Sequence, residues 1–580
     1  MPCGYSRRIP MLALAALQAL SSGCGKGTVD GSPGMPQSPG TVNPPIIAPD
    51  PNQGANVRKM AADADSYAIT YGALDPATIQ TLKTYPLVIV HPFNGNITRS
   101  QIMQIKQGAP VPGKPDVHPV VLCYVSIGED SRTFGLTDEQ IKSRFRGDGS
   151  GPSIDPRGAG ASGMSLVGLD PLGTPTYGGY ASYYLNDNAV RCKGAPDKIP
   201  DQNGYFAVRF VNAGDPAWYA EVSSMLMNEE QHTPPGLREM LTSDYGRGLS
   251  CDGVFLDTVD TAAPNFYTEC DYTNHTSSEW TAQGFVNFMK RLRNDYPDKV
   301  ILQNRGLFYF DPRRPHYQVT SRGVIDLGFF ESYYLDNNSS TTVSPYYYDN
   351  KYNVAPKLMA EANRPDGFKV LSLGYANGFD APKAGIDIQT LLGNSNTGYD
   401  ILMTDVREAL AVGFRHYITS ASVDFVNSFV KNNEDMTDVA PPEWSSAYNA
   451  FNYNPILAPT PRVGIQKVAA TVAGSITLSW DVALDMNKVS YVLYYRTSPF
   501  DFAADPALAT ATRVVLNPSV GEGYSSVWNS VNPEQALQTV YPYQSTITGL
   551  QHNVPYYFLI RAVDSKGNED NNRVVLTATP

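Results

Sequence analysis

Two carboxylates end apolar runs and could do chemistry together. One lies in Cys251-Asp-Gly-Val-Phe-Leu-Asp257-Thr-Val-Asp260, the other in Ile325-Asp-Leu-Gly-Phe-Phe-Glu331-Ser-Tyr-Tyr334. In an extended run Gly253, Phe255 and Asp257 share one face, while Val254 and Leu256 share the other. The apolar pair must pack against helices, so Asp257 is expected to point into the open end of a barrel. Glu331 follows Phe329 and Phe330, neighbours that disfavour a charged carboxylate unless a partner or a task holds it there. Two carboxylates facing one cleft meet the needs of glycosidic cleavage: one protonates the leaving oxygen, the other attacks the anomeric carbon or activates water. Each also has a structural alternative. Asp257 or Asp260 could cap the next helix, the preferred reading for Asp260, and Glu331 could pair with Arg305.

Further polar residues sit at the ends of similar runs. Val121-Leu-Cys-Tyr-Val-Ser126-Ile-Gly-Glu129-Asp130 and Val300-Ile-Leu-Gln-Asn304-Arg305-Gly306 add Ser126, Glu129 and Asn304 to Asp260 as candidate contacts for substrate hydroxyls or amines. Structural roles for these four are equally open. Tyr183-Tyr184, Tyr333-Tyr334 and Tyr346-Tyr347-Tyr348 offer flat faces on which sugar rings could stack, with Tyr333 the candidate nearest Glu331; loop packing is the alternative. The seven histidines, His91, His118, His232, His275, His316, His416 and His552, are scattered without metal-ligand spacing, so neither a metal nor a cofactor is expected.

The elements that must position these residues follow from periodicity. Eight short apolar runs, separated by helical-period segments, read as alternating strands and helices. They are Leu87 to His91, Val120 to Ile127, Phe206 to Val211, Gly253 to Val259, Lys299 to Gln303, Ile325 to Glu331, Val370 to Tyr375 and His416 to Ser420. The helices expected between them include Pro216 to Glu229, Thr281 to Tyr296, Ala355 to Ala362 and Asp405 to Gly413. Eight such units without a Gly-rich nucleotide turn predict an α/β fold, a (β/α)8 TIM barrel with its active site at the C-terminal ends of the strands. The excess length falls after the second run, in a Gly-, Pro- and Tyr-rich stretch from Arg146 to Tyr205. Beyond a linker at Pro455 to Pro461, the pattern becomes alternating strands without helices, an all-β sandwich. A length of 580 residues, with 42% hydrophobic and 17% charged, suits such a multidomain globular chain. The net charge of -12 excludes a general nucleic-acid binder, which needs a basic surface.

The chain opens with Arg7-Arg8, an apolar run from Ile9 to Leu20, and Ser21-Ser-Gly-Cys24. A basic start, a short apolar stretch and small residues predict an export signal over residues 1–24, with Cys24 a candidate lipidation site. Residues 25–55, rich in Gly and Pro, are expected to be a tether. The location implied is the cell surface or outer membrane as a lipoprotein, or else secretion. Cys123, Cys192, Cys251 and Cys270 then permit two disulfides. Cys251 with Cys270 is the favoured pair, and a buried free thiol at Cys123 is the alternative.

In order, Tyr124-Val-Ser126-Ile-Gly128-Glu129, Asp215-Pro-Ala-Trp218, Cys251-Asp-Gly-Val-Phe-Leu-Asp257-Thr-Val-Asp260 and Phe330-Glu331 resemble glycoside hydrolase family 114, the endo-α-1,4-polygalactosaminidase-like barrels. The resemblance spans roughly residues 66–422 and implies a barrel over 56–458 that hydrolyses α-1,4-linked galactosamine polymers. It also implies a catalytic Asp after strand four and Glu after strand six, which are Asp257 and Glu331. Asp257 is read as nucleophile or charge stabiliser and Glu331 as acid/base, with the reverse left open. Residues 463–580 resemble a fibronectin type III-like domain through Leu478-Ser-Trp480, Tyr491-Val-Leu-Tyr-Tyr495, Thr548-Gly-Leu550 with Tyr556, and Ala562-Val-Asp564. The long insert after the second run and the fused sandwich depart from the barrel family and put the exact glycan in doubt. The partner implied is an extracellular polysaccharide containing amino sugars; membrane contact is expected only through the lipid, and nucleic acid is not a partner. The alternatives are a non-catalytic glycan-binding surface protein, or a hydrolase of a different polysaccharide.

Overall fold

A computed structural model describes residues 49–111, 118–152, 178–185, 199–203, 206–262, 281–310, 320–336, 343–344, 346–347, 350–364, 366–376, 397–433, 440–444, 464–480, 482–517, 519–520 and 543–580. The export signal, Cys24, Cys192, Cys270 and the Pro455 to Pro461 linker lie outside the described residues.

Eight parallel strands form one sheet: β1 (Tyr67–Thr70), β2 (Leu87–Val90), β3 (Val120–Ser126), β4 (Gly253–Asp257), β5 (Val300–Asn304), β6 (Leu327–Glu331), β7 (Lys369–Tyr375) and β8 (Arg415–Thr419). They pair in chain order, and β1 and β2 are buried along their whole length. Burial on both faces is what helix-covered parallel sheets require, and it explains runs such as Leu87-Val-Ile-Val90 that do not alternate. At the seam the Tyr67 and Tyr417 rings lie 5.6 Å apart, and the Tyr71 N–H donates to the Val423 carbonyl at 2.6 Å. No ladder joins β1 to β8 among the described residues, so the barrel is nearly closed.

One expected strand is exchanged for another. Phe206 to Val211 is not in the barrel; only Arg209–Phe210 is extended there, paired antiparallel with Glu129–Asp130 above the C-terminal end of β3. The first barrel strand is Tyr67–Thr70, four residues in a polar surrounding that carry too little apolar signal to stand out. Because one strand is gained before Asp257 and one is lost, Asp257 still ends the fourth strand and Glu331 the sixth. The long insert follows the third strand, not the second.

The helices cover the outside. Among them Ala282–Asp295, fourteen residues long, buries Phe285, Val286, Met289 and Leu292 on one stripe, and Thr397–Ala411 leads into β8. The expected Cys251–Cys270 pairing gives way to a Cys123–Cys251 disulfide that closes a separation of 128 residues. The ladder explains this choice. Cys123 lies opposite Val254 on the neighbouring strand β4, which brings Cys251, just before β4, to 6.1 Å between Cα atoms.

The tether expected to run to Ala55 ends sooner. Asn52 is buried at the N-terminal end of the barrel, where its Nδ2 donates to Pro119 O and Asp252 Oδ2, each at 2.9 Å. Beside it Lys106, wholly buried, donates to Asp50 Oδ2 and Asp252 Oδ1 at 2.8 Å and to Ser250 O at 2.6 Å. Residues 50–52 are thereby a plug for the closed end.

The C-terminal region forms two antiparallel sheets of four strands. One contains Ile465–Val472, Ser475–Trp480, Tyr543–Ile547 and Ser519–Val520; the other contains Thr512–Leu516, Ser490–Arg496, Tyr556–Val563 and Leu576–Ala578. Along Ser475–Trp480 Ile476, Leu478 and Trp480 are buried and their neighbours half-buried, the period of two expected of a sandwich strand.

Candidate active site

Three adjacent strands end in polar side chains that meet. β4 ends in Asp257, β5 in Asn304 and β6 in Glu331. Each is followed by a non-glycine residue in the left-handed region: Thr258 at φ 61°, Arg305 at φ 53° and Ser332 at φ 60°. Such a backbone costs roughly 1–2 kcal/mol per residue and persists where the surroundings enforce it. Here the same turn after three strands breaks each away sharply at the functional side chain.

Asn304 joins the two carboxylates. Its Nδ2 donates to Asp257 Oδ1 at 2.7 Å and to Glu331 Oε2 at 3.1 Å. One nitrogen holding both limits the facing oxygens to about 5.8 Å apart, and to about 5 Å at the angle between an amide's two N–H bonds. Two tyrosines complete the cradle: Tyr124 from β3 donates to Asp257 Oδ2 at 2.7 Å, and Tyr375 from β7 donates to Glu331 Oε1. Burial pushes the Glu331 carboxyl above its usual range, and the charge of Asp257 adds to this; Arg305 and the Tyr375 and Asn304 hydrogen bonds pull the other way. Both carboxylates thus accept on both oxygens, and the raised one of the two, Glu331, is the better placed to serve as the acid/base.

The other expected residues divide. Glu129 is buried beside this pair, with Asn203 Nδ2 donating to its Oε1. Burial, reinforced by the charge of Asp257 and opposed by the Asn203 hydrogen bond, raises it from its ordinary 4.5 to about 8. Near pH 6 the folded Glu129 therefore holds a proton that the unfolded chain has lost, so stability falls as pH rises from about 4.5 to about 8. Glu129→Gln, which mimics the protonated form, is expected to flatten that decline in urea midpoints across the window; an unchanged slope would contradict it.

Asp260 does not cap a long helix. It lies in a short 3-10 turn, Val259–Ala262, where its Oδ1 accepts from the Gly306 N–H at 2.8 Å and its Oδ2 sits 3.2 Å from Arg305 Nε, tying the loops after β4 and β5 together. Burial raises its carboxyl, against the pull of Arg305. Ser126 Oγ lies 2.9 Å from Thr258 Oγ1 and 3.4 Å from Glu129 O, fastening the same rim.

Tyr333 is placed elsewhere. The turn at Ser332 directs it into the barrel wall, fully buried against Phe330, Phe414 and Tyr347, which leaves no face for a sugar. Tyr183 and Tyr184 are likewise buried, with Tyr184 donating to Asp130 Oδ2 at 2.8 Å; Tyr346 is 62% exposed, and Tyr348 lies outside the described residues. Sequence reasoning missed Tyr124 and Tyr375 as members of the site. Both could have been found by strand parity, since each lies on the inward face of a run already recognised.

Fold and site together define a parallel eight-stranded barrel with a carboxylate pair at the C-terminal ends of its strands. No protein-family model matches the chain, and no curated protein sequence does. Among solved structures, the chain is similar to the glycoside hydrolase domain of PelA from Pseudomonas aeruginosa at 14% identity, covering 63% of this chain and 97% of that one, with a TM-score of 0.34. It is also similar to chitinase ChiA74 from Bacillus thuringiensis, at 13% identity, 63% and 62% coverage and a TM-score of 0.22. Amy13B of Eubacterium rectale is 10% identical over 64% of this chain and 69% of that one, with a TM-score of 0.32. At these identities none of them assigns a residue role here.

Proposed function

We propose that the chain is an exported glycoside hydrolase that cleaves α-1,4-linked galactosamine-containing polysaccharide with retention of configuration. The observation that carries this reading is the Asp257–Asn304–Glu331 arrangement, in which one amide nitrogen holds an oxygen of each carboxylate, and the short separation this favours supports double displacement. Retaining pairs stand about 5–5.5 Å apart, whereas inverting pairs leave roughly 6.5–9.5 Å for a water. Asp257 attacks the anomeric carbon while Glu331 gives its proton to the departing glycosidic oxygen. Glu331, now a base, then takes a proton from the water that releases the sugar from Asp257.

The substrate class follows from the family resemblance of the motifs and from charge. The net charge of -12 suits a polymer whose free amines are cationic. The basic, apolar leader and Cys24 support export and a lipid anchor, and the C-terminal sandwich supports a docking or spacing role beside the barrel.

The test is release of reducing ends from α-1,4-polygalactosamine and from a panel of neutral and N-acetylated polysaccharides. Cleavage of the amino polymer by wild type, weakened by salt and lost in Asp257→Asn and Glu331→Gln, is the expected result. Binding without cleavage would favour a glycan-binding protein. Cleavage of a different polymer, with the same dependence on both residues, would keep the site and change the substrate.

A further inference from the structure

Beside Asp257, three neighbouring strands contribute three rings. Tyr71 follows the end of β1, His91 follows the end of β2, and Tyr124 lies on β3. The His91 and Tyr124 rings are stacked, with centroids 4.1 Å apart and planes 16° from parallel. Tyr71 stands edge-on to both, at 5.1 Å from His91 and 5.3 Å from Tyr124. The far end of Tyr124 is the hydroxyl that donates to Asp257 Oδ2 at 2.7 Å. His91 Nδ1 accepts from the Asn94 N–H at 3.3 Å, which puts the ring proton on Nε2 and fixes the imidazole in its own turn. Burial holds that imidazole near a pKa of about 3, so the stack is between two neutral rings.

We infer that His91 is a positioning residue for the nucleophile: its ring face fixes Tyr124, and Tyr124 fixes the Asp257 carboxylate. The inference rests on the hydrolase reading of Asp257. A phenol free to rotate about its side-chain bonds would trade the Asp257 bond for water. A ring clamped on one face by His91 and at its edge by Tyr71 holds the hydroxyl in place. The stack also accounts for a histidine that burial keeps from titrating in the working range. A neutral ring adds no charge beside the nucleophile, whereas an imidazolium there would pair with the carboxylate and blunt it.

The experiment has a kinetic and a structural arm. With a soluble α-1,4-galactosamine oligomer as substrate, His91→Ala is expected to lower kcat about tenfold or more while KM moves less than about twofold. His91→Phe, which keeps a flat ring, should restore most of kcat. In a Tyr124→Phe background, His91→Ala should add almost nothing, because the hydroxyl it positions is already gone. An equal loss in both backgrounds, a change confined to KM, or a His91→Phe variant as poor as His91→Ala would each overturn the inference. The structural arm does not depend on the substrate. A crystal structure of His91→Ala should show the Tyr124 hydroxyl displaced from Asp257, and an intact bond would overturn the inference even if wild type cleaves nothing. Absence of wild-type turnover with that bond displaced would count against the hydrolase reading alone.

Discussion

Glu331→Gln is expected to cut turnover of an unactivated glycosidic bond by about 10²- to 10⁴-fold and to remove the basic limb of the pH–rate profile. Its carboxyl is raised by burial and by the Asp257 charge beside it. The protonated form is the one that donates to the leaving oxygen, so wild-type activity falls as pH rises through that raised value. Glutamine keeps the shape and the contact to Asn304 but has no proton to transfer, so the limb has no cause in the variant. An aryl glycoside with a good leaving group needs little protonation, and its first step should be nearly spared. A variant that loses both substrates equally would assign Glu331 to binding, and one that keeps full activity would remove it from the mechanism.

Lys106→Met is expected to destabilise the fold by about 3–5 kcal/mol, read as a lower urea midpoint at an unchanged slope. The ammonium is wholly buried between Asp50 and Asp252 at 2.8 Å each, with Ser250 O at 2.6 Å. Methionine fills the same volume yet leaves the Asp252 carboxylate, 4% exposed, without the cation that touches it, with Lys299 acting on it only from its neighbouring site on the Cys251 carbonyl. Asn52 and the Val121 N–H still reach Asp252 Oδ2 and soften the loss, but neither carries charge. Because Asp50 belongs to the plug, the variant should also make the segment around Asn52 more sensitive to protease. A cost below about 1 kcal/mol would show that packing alone holds the closed end.

The sequence made the barrel legible because seven of its strands and most of its helices carry strong apolar periodicity. Asp257 and Glu331 stood out for the same reason: a carboxylate that ends a run of buried residues contradicts its surroundings unless it has a task. Tyr67–Thr70 escaped because four residues bury completely only once the neighbouring strands are present. Phe206 to Val211 misled because a β-rich composition fits a loop ribbon as well as a barrel strand. The disulfide was misjudged on proximity in sequence, where the decisive proximity is across the β3–β4 ladder. Tyr333 was misjudged because the turn at Ser332 depends on a left-handed backbone that a serine does not advertise. Asn304 read as one candidate among several, and only the geometry shows its single amide nitrogen spacing both carboxylates.

The central claim is that Asp257 and Glu331 form a retaining pair, and the anomeric configuration of the first product tests it directly. Proton NMR of an α-1,4-galactosamine oligomer, followed from the first minute of cleavage by wild type, should show the new reducing end as the α-anomer before mutarotation. A β-anomer appearing first would contradict the spacing set by Asn304 and require a water between the carboxylates.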